Sequence, residues 1–173
     1  MKKKEFKKRE ISDLLSKYSK ALSILGQYDT GTLTEPKGAS AKFVLKYKDC
    51  LKIIKDVRMA LIGKKGAGSL FGSERSRMLE GIIKNIYQTF DGKELYNTIE
   101  KKAAHLLYLM IKDHPFSDGN KRLGAFLFVY FLYKNDYLYN INNNTLVALA
   151  LLIAESHPQE KDVMVKIIMN LLA

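Results

Sequence analysis

Apolar residues recur with the spacing of an α-helix along most of the chain. The first such stripe consists of Ile11, Leu14, Leu15, Tyr18, Leu22 and Leu25. It predicts an amphipathic helix, and the Gly26 that follows is a residue type that commonly ends helices. Over residues 120–134 apolar residues occupy every side, which predicts a central buried helix. The spacing predicts six helices in all, over residues 11–25, 41–62, 99–113, 120–134, 145–155 and 160–172.

One segment alternates like a β-strand instead. Its alternating residues are Ile86, Tyr87, Gln88, Thr89 and Phe90. Asp91-Gly92 follows and can close a tight turn, so residues 82–90 are predicted to form a strand that begins a hairpin. Glycines within residues 27–39 and 63–72 predict loops, and we interpret the second loop as a mobile linker.

A polar loop, residues 114–122, lies between two long apolar segments. Pro115 disfavours the α conformation at the residue before it, which predicts that the preceding helix ends near Asp113. Residues 117–119 are Ser, Asp and Gly, which favour turns and helix caps. A helix that begins near Asn120 would direct its free N–H groups and the positive end of its dipole into the loop. Such a helix start attracts an anion.

The loop side chains suit phosphate chemistry. Gly119 allows close approach of the backbone to a ligand, and Arg122 offers a bidentate fork for phosphate oxygens. Lys121 adds a positive charge, and Asp118 is a hard oxygen donor suited to Mg²⁺. His114 is the loop residue that can take up a proton near neutral pH. The alternative interpretation is a plain turn, in which Asp118 caps the helix and Arg122 pairs with a carboxylate.

The complete run resembles the signature of the Fic/Doc family. That signature has histidine, proline and phenylalanine, then an acid, glycine, asparagine, glycine or lysine, and arginine. Residues 114–122 agree at all eight positions that it specifies. Residues about 27–173 are also similar to the C-terminal Fic/Doc module of RhuM-type virulence proteins, notably at 27–33, 85–92 and 154–156. The chain is therefore expected to be a stand-alone relative or a truncated copy of such a protein.

The resemblance implies an all-α Fic/Doc core with one small β-hairpin. We expect a basic N-terminal segment with an amphipathic helix and a loop over residues 1–40, and a Fic/Doc catalytic domain over residues 41–173. In the family the hairpin is a flap that clamps an extended segment of a target protein by main-chain pairing. The target-docking residues would be Ile86, Tyr87, Gln88, Thr89 and Phe90. The alternative is a structural hairpin that shields the core.

For function, the resemblance implies transfer of a phosphate-containing group from ATP, or another nucleoside triphosphate, to a hydroxyl of a target protein. His114 would take the proton from that Ser, Thr or Tyr hydroxyl. Asp118 would hold Mg²⁺ against the phosphates. The residues that bind phosphate and stabilise charge in the transition state would be Gly119, Asn120, Lys121 and Arg122.

The residues leave open which group is transferred. Lysine at position 121 is found in the kinase-like Doc branch, whereas relatives with glycine there mostly transfer AMP. In contrast, His114-Pro115-Phe116 and Gly119 follow the Fic form. We favour Doc-like phosphorylation over Fic-type adenylylation. A basic interaction module without activity is a third alternative.

Composition restricts the protein's class and partners. A chain of 173 residues with 47% apolar residues can bury a core, and its single cysteine, Cys50, fits a reducing compartment and a place in the core. No signal peptide or membrane span is recognisable, so we expect a cytoplasmic protein without a membrane partner. The net charge is +11, of which residues 1–10 contribute six Lys/Arg and two Glu. We expect this charge to favour anionic nucleotide, and not nucleic acid.

Relatives are often silenced by a helix with the motif Ser or Thr, three residues, Glu, then Gly or Asn. The glutamate of this motif pairs with the signature arginine. Residues 76–81 match the motif, by chance in our interpretation, because they directly precede the hairpin. We therefore expect no inhibitory glutamate in the chain, and restraint, if any, from a separate antitoxin protein.

Overall fold

The structure is a computed structural model that describes residues 8–62, 67–137 and 141–173. Within these ranges it has eight α-helices, one turn of 3₁₀ helix and one two-stranded antiparallel sheet. The helices are α1 (Lys8–Lys17), α2 (Ser19–Asp29), α3 (Tyr47–Leu61), α4 (Met78–Ile86), α5 (Ile99–Lys112), α6 (Asn120–Lys134), α7 (Asn143–Glu155) and α8 (Lys161–Leu172). The strands are β1 (Thr89–Phe90) and β2 (Lys93–Glu94). The predicted fold class, all-α with one small hairpin, is confirmed.

The chain divides into two compact units, residues 1–34 and residues 35–173. The first unit contains α1 and α2, and the second contains the other described elements together with the loop 114–122. Most of the basic N-terminal residues, those at positions 1–7, lie outside the described residues. Among the residues that the structure describes, no helix is long and apolar enough to cross a membrane.

Helices α1 and α2 continue one another. The Tyr18 amide donates to the Leu14 carbonyl and the Leu22 amide donates to the Tyr18 carbonyl, both at 3.0 Å. The predicted end of this helix at Gly26 is wrong, because α2 continues through that glycine to Asp29. The chain instead leaves the helix at Gly31, which has a φ of +67° that only glycine adopts without strain.

Helix α5 lies at the centre of the second unit. Twelve of its fourteen residues are buried, and it packs against α4, α6, α7 and α8. The prediction that residues 120–134 form the central helix is wrong, although α6 has the predicted bounds. Six of the fifteen residues of α6 are buried, while Phe126 and Tyr133 are 46% and 72% exposed. The reason is that α6 packs mainly against α5 and α7, so part of its apolar surface stays uncovered.

Helix α3 begins at Tyr47, later than the predicted residue 41. The backbone amides of Lys42 and Phe43 both donate to Oδ1 of Asn135, each at 2.9 Å. Amides that bind a distant side chain do not donate along a helix. Asn135 thus holds this part of the chain in a non-helical conformation on the second unit.

The predicted strand over residues 82–90 is wrong for its first half, because residues 82–86 belong to α4. The buried residues of α4 are Leu79, Ile82, Ile83 and Ile86. Their spacing of three and four residues is helical. The strand prediction rested on five alternating residues, a window too short to outweigh the helical pattern that precedes it.

The hairpin itself is confirmed, with two residues in each strand. Thr89 lies opposite Glu94 in the antiparallel pair. Asp91 and Gly92 have φ values of +49° and +72°, and two successive left-handed residues form the turn whose twist suits a two-residue hairpin loop.

The core position expected for Cys50 holds in the structure. Cys50 is fully buried, and burial raises the pKa of its thiol to about 12, as expected for an unreactive core residue. His157 has a structural role as well, since it forms a capping box with Glu160 around a 3₁₀ turn, residues 158–160.

We predict that Asn135→Ala lowers the free energy of unfolding by about 2 kcal/mol, because two backbone amides lose their acceptor in a largely buried place. Equilibrium urea denaturation measures the change. Asn144→Ala is the matched control, since Asn144 is exposed in the first turn of α7. This variant should lower the free energy of unfolding by less than about 0.5 kcal/mol. Equal losses in the two variants would contradict the role of Asn135.

Candidate active site

The loop between α5 and α6 begins with a histidine in an unusual backbone conformation. Helix α5 ends at Lys112 with Asp113 as its C-cap, as Pro115 predicted. His114 has a φ of +49°. A non-glycine residue in this region costs about 1–3 kcal/mol and persists only where its surroundings impose the conformation. The next residues, Pro115 and Phe116, are buried and hold the chain in place, while His114 itself is exposed.

Asn120 closes the loop with its side chain. Its Oδ1 accepts a hydrogen bond from the Phe116 amide and its Nδ2 donates to the Phe116 carbonyl, both at 2.8 Å. This pair of bonds fixes the curvature of the loop. The sequence predicts phosphate binding by Asn120. Its side chain is engaged within the loop, and its backbone N–H lies in the first turn of α6, where amides have no helical acceptor.

Gly119 packs against an aromatic ring from an earlier part of the chain. It is the N-cap of α6 and has a φ of +91°. A Cβ at this position would lie 2.5 Å from Cε2 of Phe71, and Phe71 is fully buried. Glycine is therefore required here for two reasons, the backbone conformation and the contact with Phe71.

Residues 71–75, which we name the supporting segment, run beside the loop. Three main-chain hydrogen bonds join them to it: Gly72 N to Asp118 O at 3.0 Å, Ser117 N to Ser73 O at 2.9 Å, and Arg75 N to Pro115 O at 2.8 Å. The interpretation of residues 63–72 as a mobile linker is therefore wrong at its C-terminal end, and residues 63–66 lie outside the described residues. The sequence signal for this role was Phe71, a large apolar residue within a glycine-rich stretch.

Contacts with Phe71 and Asp118 orient the guanidinium group of Arg122. Its Cζ lies 4.5 Å from the centroid of the Phe71 ring, and its Nη2 lies 3.4 Å from both carboxylate oxygens of Asp118. Both charged side chains are 45% exposed, so the ion pair contributes roughly 0–1 kcal/mol and can exchange partners when an anion arrives. The plain-turn interpretation anticipates this pair, but Gly119, not Asp118, occupies the N-cap position of α6.

The loop side chains surround a cavity of about 250 Å³, which we name the loop cavity. Its lining residues are His114, Ser117, Asp118, Gly119, Asn120, Lys121 and Arg122. The structure thus brings all six predicted loop residues together. The volume lies below the roughly 300–1,000 Å³ of pockets that enclose whole ligands, so the loop cavity suits the phosphate part of a nucleotide.

A second cavity, of about 270 Å³, shares Lys121 and Arg122 with the first and lies between α6 and α7. We name it the aliphatic cavity, because its other lining residues are Ala125, Leu146, Val147, Ala150 and Leu151. Apolar walls beside two cations can receive a ring system that is attached to phosphate groups.

Asp118 is the one carboxylate among the seven residues that line the loop cavity. In the described parts of the chain, no three His, Cys, Asp or Glu residues form a group that could hold a metal ion. One carboxylate nevertheless suits Mg²⁺ that arrives with a nucleotide, because this ion keeps several waters and takes further ligands from phosphates.

Comparison with protein families matches residues 45–132, just over half of the chain, to the Fic/DOC family. The chain belongs to the Fic/DOC family. The matched region runs from α3 into α6 and includes the loop, the supporting segment and the hairpin. Members of this family are in general transferases that modify other molecules. No curated protein and no solved structure matches the chain.

In this Fic/DOC protein a buried lysine ties the hairpin to α5. Lys102 is 1% exposed, and its Nζ donates to Oε2 of Glu94 at 2.7 Å and to the carbonyl oxygen of Tyr96. The ammonium also lies 5.6 Å from the centroid of the Tyr87 ring. A buried ammonium needs such partners to offset its desolvation. Sequence reasoning missed Lys102, whose signal is a lysine at a position where α5 is buried.

His105, one turn further along α5, supports the same end of the hairpin. Its imidazole stacks on Tyr96 with ring centroids 3.7 Å apart and an angle of 17° between the planes. Burial, together with the nearby charges of Lys161 and Lys101, lowers the pKa of His105 to about 3. The ring is therefore neutral near pH 7 and serves a structural role.

The five predicted target-docking residues are divided among three parts of the structure. Ile86 is buried at the end of α4, and Tyr87 and Gln88 connect this helix to the hairpin. Thr89 and Phe90 form β1, where both are exposed, Phe90 to 75%. Of the five, only these last two therefore lie in an exposed strand.

Glu80 is the glutamate of the sequence that matches the inhibitory motif. It forms ion pairs with nearby residues along the chain. Its carboxylate lies 2.9 Å from Nζ of Lys84 and 3.6 Å from Nη1 of Arg77. The hydrogen bond and charge of Lys84, with a smaller contribution from Arg77, lower the pKa of Glu80. The carboxylate is thus held on the surface of α4.

We predict that Lys102→Met loosens the hairpin without unfolding the core, because methionine keeps the buried volume but loses the bonds to Glu94 and Tyr96. Hydrogen exchange of the amides in residues 87–96 should become faster. The matched control is Lys101→Met, since Lys101 pairs with Glu35 at 2.8 Å in a surface contact. The proposed anchor is refuted if hairpin exchange is the same in both variants.

Proposed function

We propose that this Fic/DOC protein transfers a phosphate-containing group from a nucleoside triphosphate to a hydroxyl of a target protein. The observation that carries the proposal is the lining of the loop cavity, where an exposed base, a carboxylate and two cations meet at the start of α6. Transfer to a hydroxyl requires a base for its proton and positive groups for the phosphate charge.

ATP is the proposed donor. The phosphates would occupy the loop cavity, where the backbone amides at the start of α6 and the charges of Lys121 and Arg122 attract anions. The base would occupy the adjoining aliphatic cavity, whose walls are apolar side chains of α6 and α7. The two cavities share Lys121 and Arg122, so a single ligand can extend through both.

His114 is the proposed general base. It would accept the proton of a Ser, Thr or Tyr hydroxyl while the hydroxyl oxygen forms a bond to phosphorus. If the γ-phosphorus is attacked, its bond to the β–γ bridging oxygen breaks and ADP leaves. If the α-phosphorus is attacked, pyrophosphate leaves. In either case Lys121 and Arg122 would stabilise the negative charge of the transition state.

Asp118 is the proposed ligand of Mg²⁺, whose chemistry would be to neutralise part of the phosphate charge. The cavity fits this ion, because Asp118 supplies one carboxylate and can release Arg122, its present partner at 3.4 Å. Arg122 would then turn its planar fork toward the phosphate oxygens.

Lys121 favours phosphoryl transfer over adenylylation. It is exposed in the first turn of α6 and lines both cavities. A lysine fills space that glycine would leave open for a phosphate, so the nucleotide can lie reversed, with its γ-phosphate at His114. Adenylylation is the alternative, and an inactive interaction module is a second one.

The proposed partners follow from the same surfaces. A target protein would pair with the exposed hairpin strand, beside Thr89 and Phe90, through main-chain hydrogen bonds.

Any restraint of the activity would come from a separate antitoxin, because Glu80 is engaged with Lys84 and Arg77. Within the family we propose a relationship to RhuM-type virulence proteins, with a cytoplasmic site of action.

The test is incubation of the protein with a cell lysate and ATP labelled at either the α- or the γ-phosphate. We predict protein-bound label from the γ-phosphate, which identifies phosphoryl transfer. Label from the α-phosphate would identify adenylylation instead, and the absence of label from both would favour the inactive module.

His114→Ala should reduce labelling by about 100-fold or more, since it removes the general base.

Two further variants separate chemistry from backbone strain. His114→Asn cannot take the proton, but asparagine tolerates a positive φ better than alanine, so it should be equally inactive and at least as stable. His157→Ala changes another exposed histidine, outside both cavities, and should keep full activity. Full labelling by either His114 variant would exclude His114 as the base.

We also predict that Lys121→Gly shifts the chemistry toward AMP transfer, because glycine frees space and removes a charge at the start of α6. The measurement is the ratio of α- to γ-derived label on protein in the two forms. An unchanged ratio would show that Lys121 does not select the transferred group.

A further inference from the structure

Helices α1 and α2 carry an apolar stripe with coiled-coil spacing. The residues Ile11, Leu15, Tyr18, Leu22 and Leu25 follow one another at intervals of four, three, four and three. These intervals are those of the a and d positions of a heptad repeat. The hydrogen bonds on both sides of Tyr18 continue the helix through the α1–α2 junction, so the stripe is uninterrupted.

The stripe is uncovered in the structure. Residues 10–23 are all exposed, and α2 has no buried residue. Between 45% and 58% of the surface remains accessible on Ile11, Leu14, Leu15, Tyr18, Leu22, Leu25 and Tyr28. Most of the stability of a protein helix comes from the packing of its amphipathic face, so the stripe needs a partner surface to stabilise it.

The charge pattern fits a second copy of the same helix. The chain carries a net charge of +11, so copies repel one another unless they meet at a surface without charge. The positions that flank the stripe are uncharged, namely Ser12, Leu14, Ser19, Ala21, Gly26 and Tyr28. Asp13, Lys17 and Lys20 fall outside these positions, although the Lys17 ammonium reaches to 5.5 Å from the Tyr18 ring at the edge of the stripe.

We propose that α1 and α2 of two copies pair along this stripe as a two-stranded coiled coil, which makes the protein a dimer. The seven apolar side chains of each copy could together remove on the order of 1,200 Å² from water, which is the lower limit for a specific interface. The dimer should therefore dissociate on dilution.

A membrane surface fits the helix less well than a second copy does. Membrane-bound amphipathic helices have a polar face rich in Lys and Arg. The charged residues of α1 and α2 are four Lys or Arg and three Asp or Glu, namely Lys8, Arg9, Lys17, Lys20, Glu10, Asp13 and Asp29. A helix with so small a net charge is attracted only weakly to an anionic membrane surface.

Sedimentation velocity of the full chain over a concentration series tests the dimer. The test variant is Leu15→Lys with Leu22→Lys, which places two charges in the stripe. The control is Ser16→Lys with Ser23→Lys, which adds the same charge one position along the helix, outside the stripe. The parent and the control should sediment as dimers at high concentration, and the test variant as a monomer throughout.

Circular dichroism checks that the test variant keeps the helices of the second unit. A parent protein that is monomeric at every concentration would overturn the proposal, as would a test variant that dimerises like the control. Sedimentation with vesicles that contain phosphatidylserine is measured in parallel. A monomeric parent that binds these vesicles through the two leucines would assign the stripe to a membrane and also overturn the dimer.

Discussion

The contact between the Phe71 ring and the backbone at Gly119 is the constraint on which the candidate site depends. A Cβ on Gly119 would lie 2.5 Å from the ring, so the backbone can approach this closely only without a side chain. The same ring lies 4.5 Å from the Arg122 guanidinium. One buried aromatic residue therefore fixes both the start of α6 and the direction of the arginine that follows it.

Around this contact, some groups hold the loop and others line the loop cavity. The Asn120 amide and the main-chain bonds of residues 71–75 are used to hold the loop. His114, Asp118, Lys121 and Arg122 are directed into the loop cavity instead. A site of this kind is preorganised, because its charged side chains project from a backbone that these hydrogen bonds hold in place.

Helix α5 connects the loop to the hairpin. Lys102 and His105, near its start, hold Glu94 and Tyr96 of the hairpin and the residues after it, while its C-terminal end leads directly into His114. Because α5 is the most buried helix of the second unit, both ends are set by the same core. The position of the hairpin relative to His114 thus follows from the packing of one helix.

The sequence by itself determined the helical class, the bounds of α6, the hairpin turn and the six residues of the loop, because local spacing and turn chemistry specify these features. Tertiary structure decided the features that depend on distant partners. Residues 82–86 are helical because α4 buries one face on the core. Residues 42–43 are non-helical because their amides donate hydrogen bonds to Asn135. Phe71 and Lys102 gained their roles in the same way, through contacts with segments far along the chain, and no local pattern encodes such contacts.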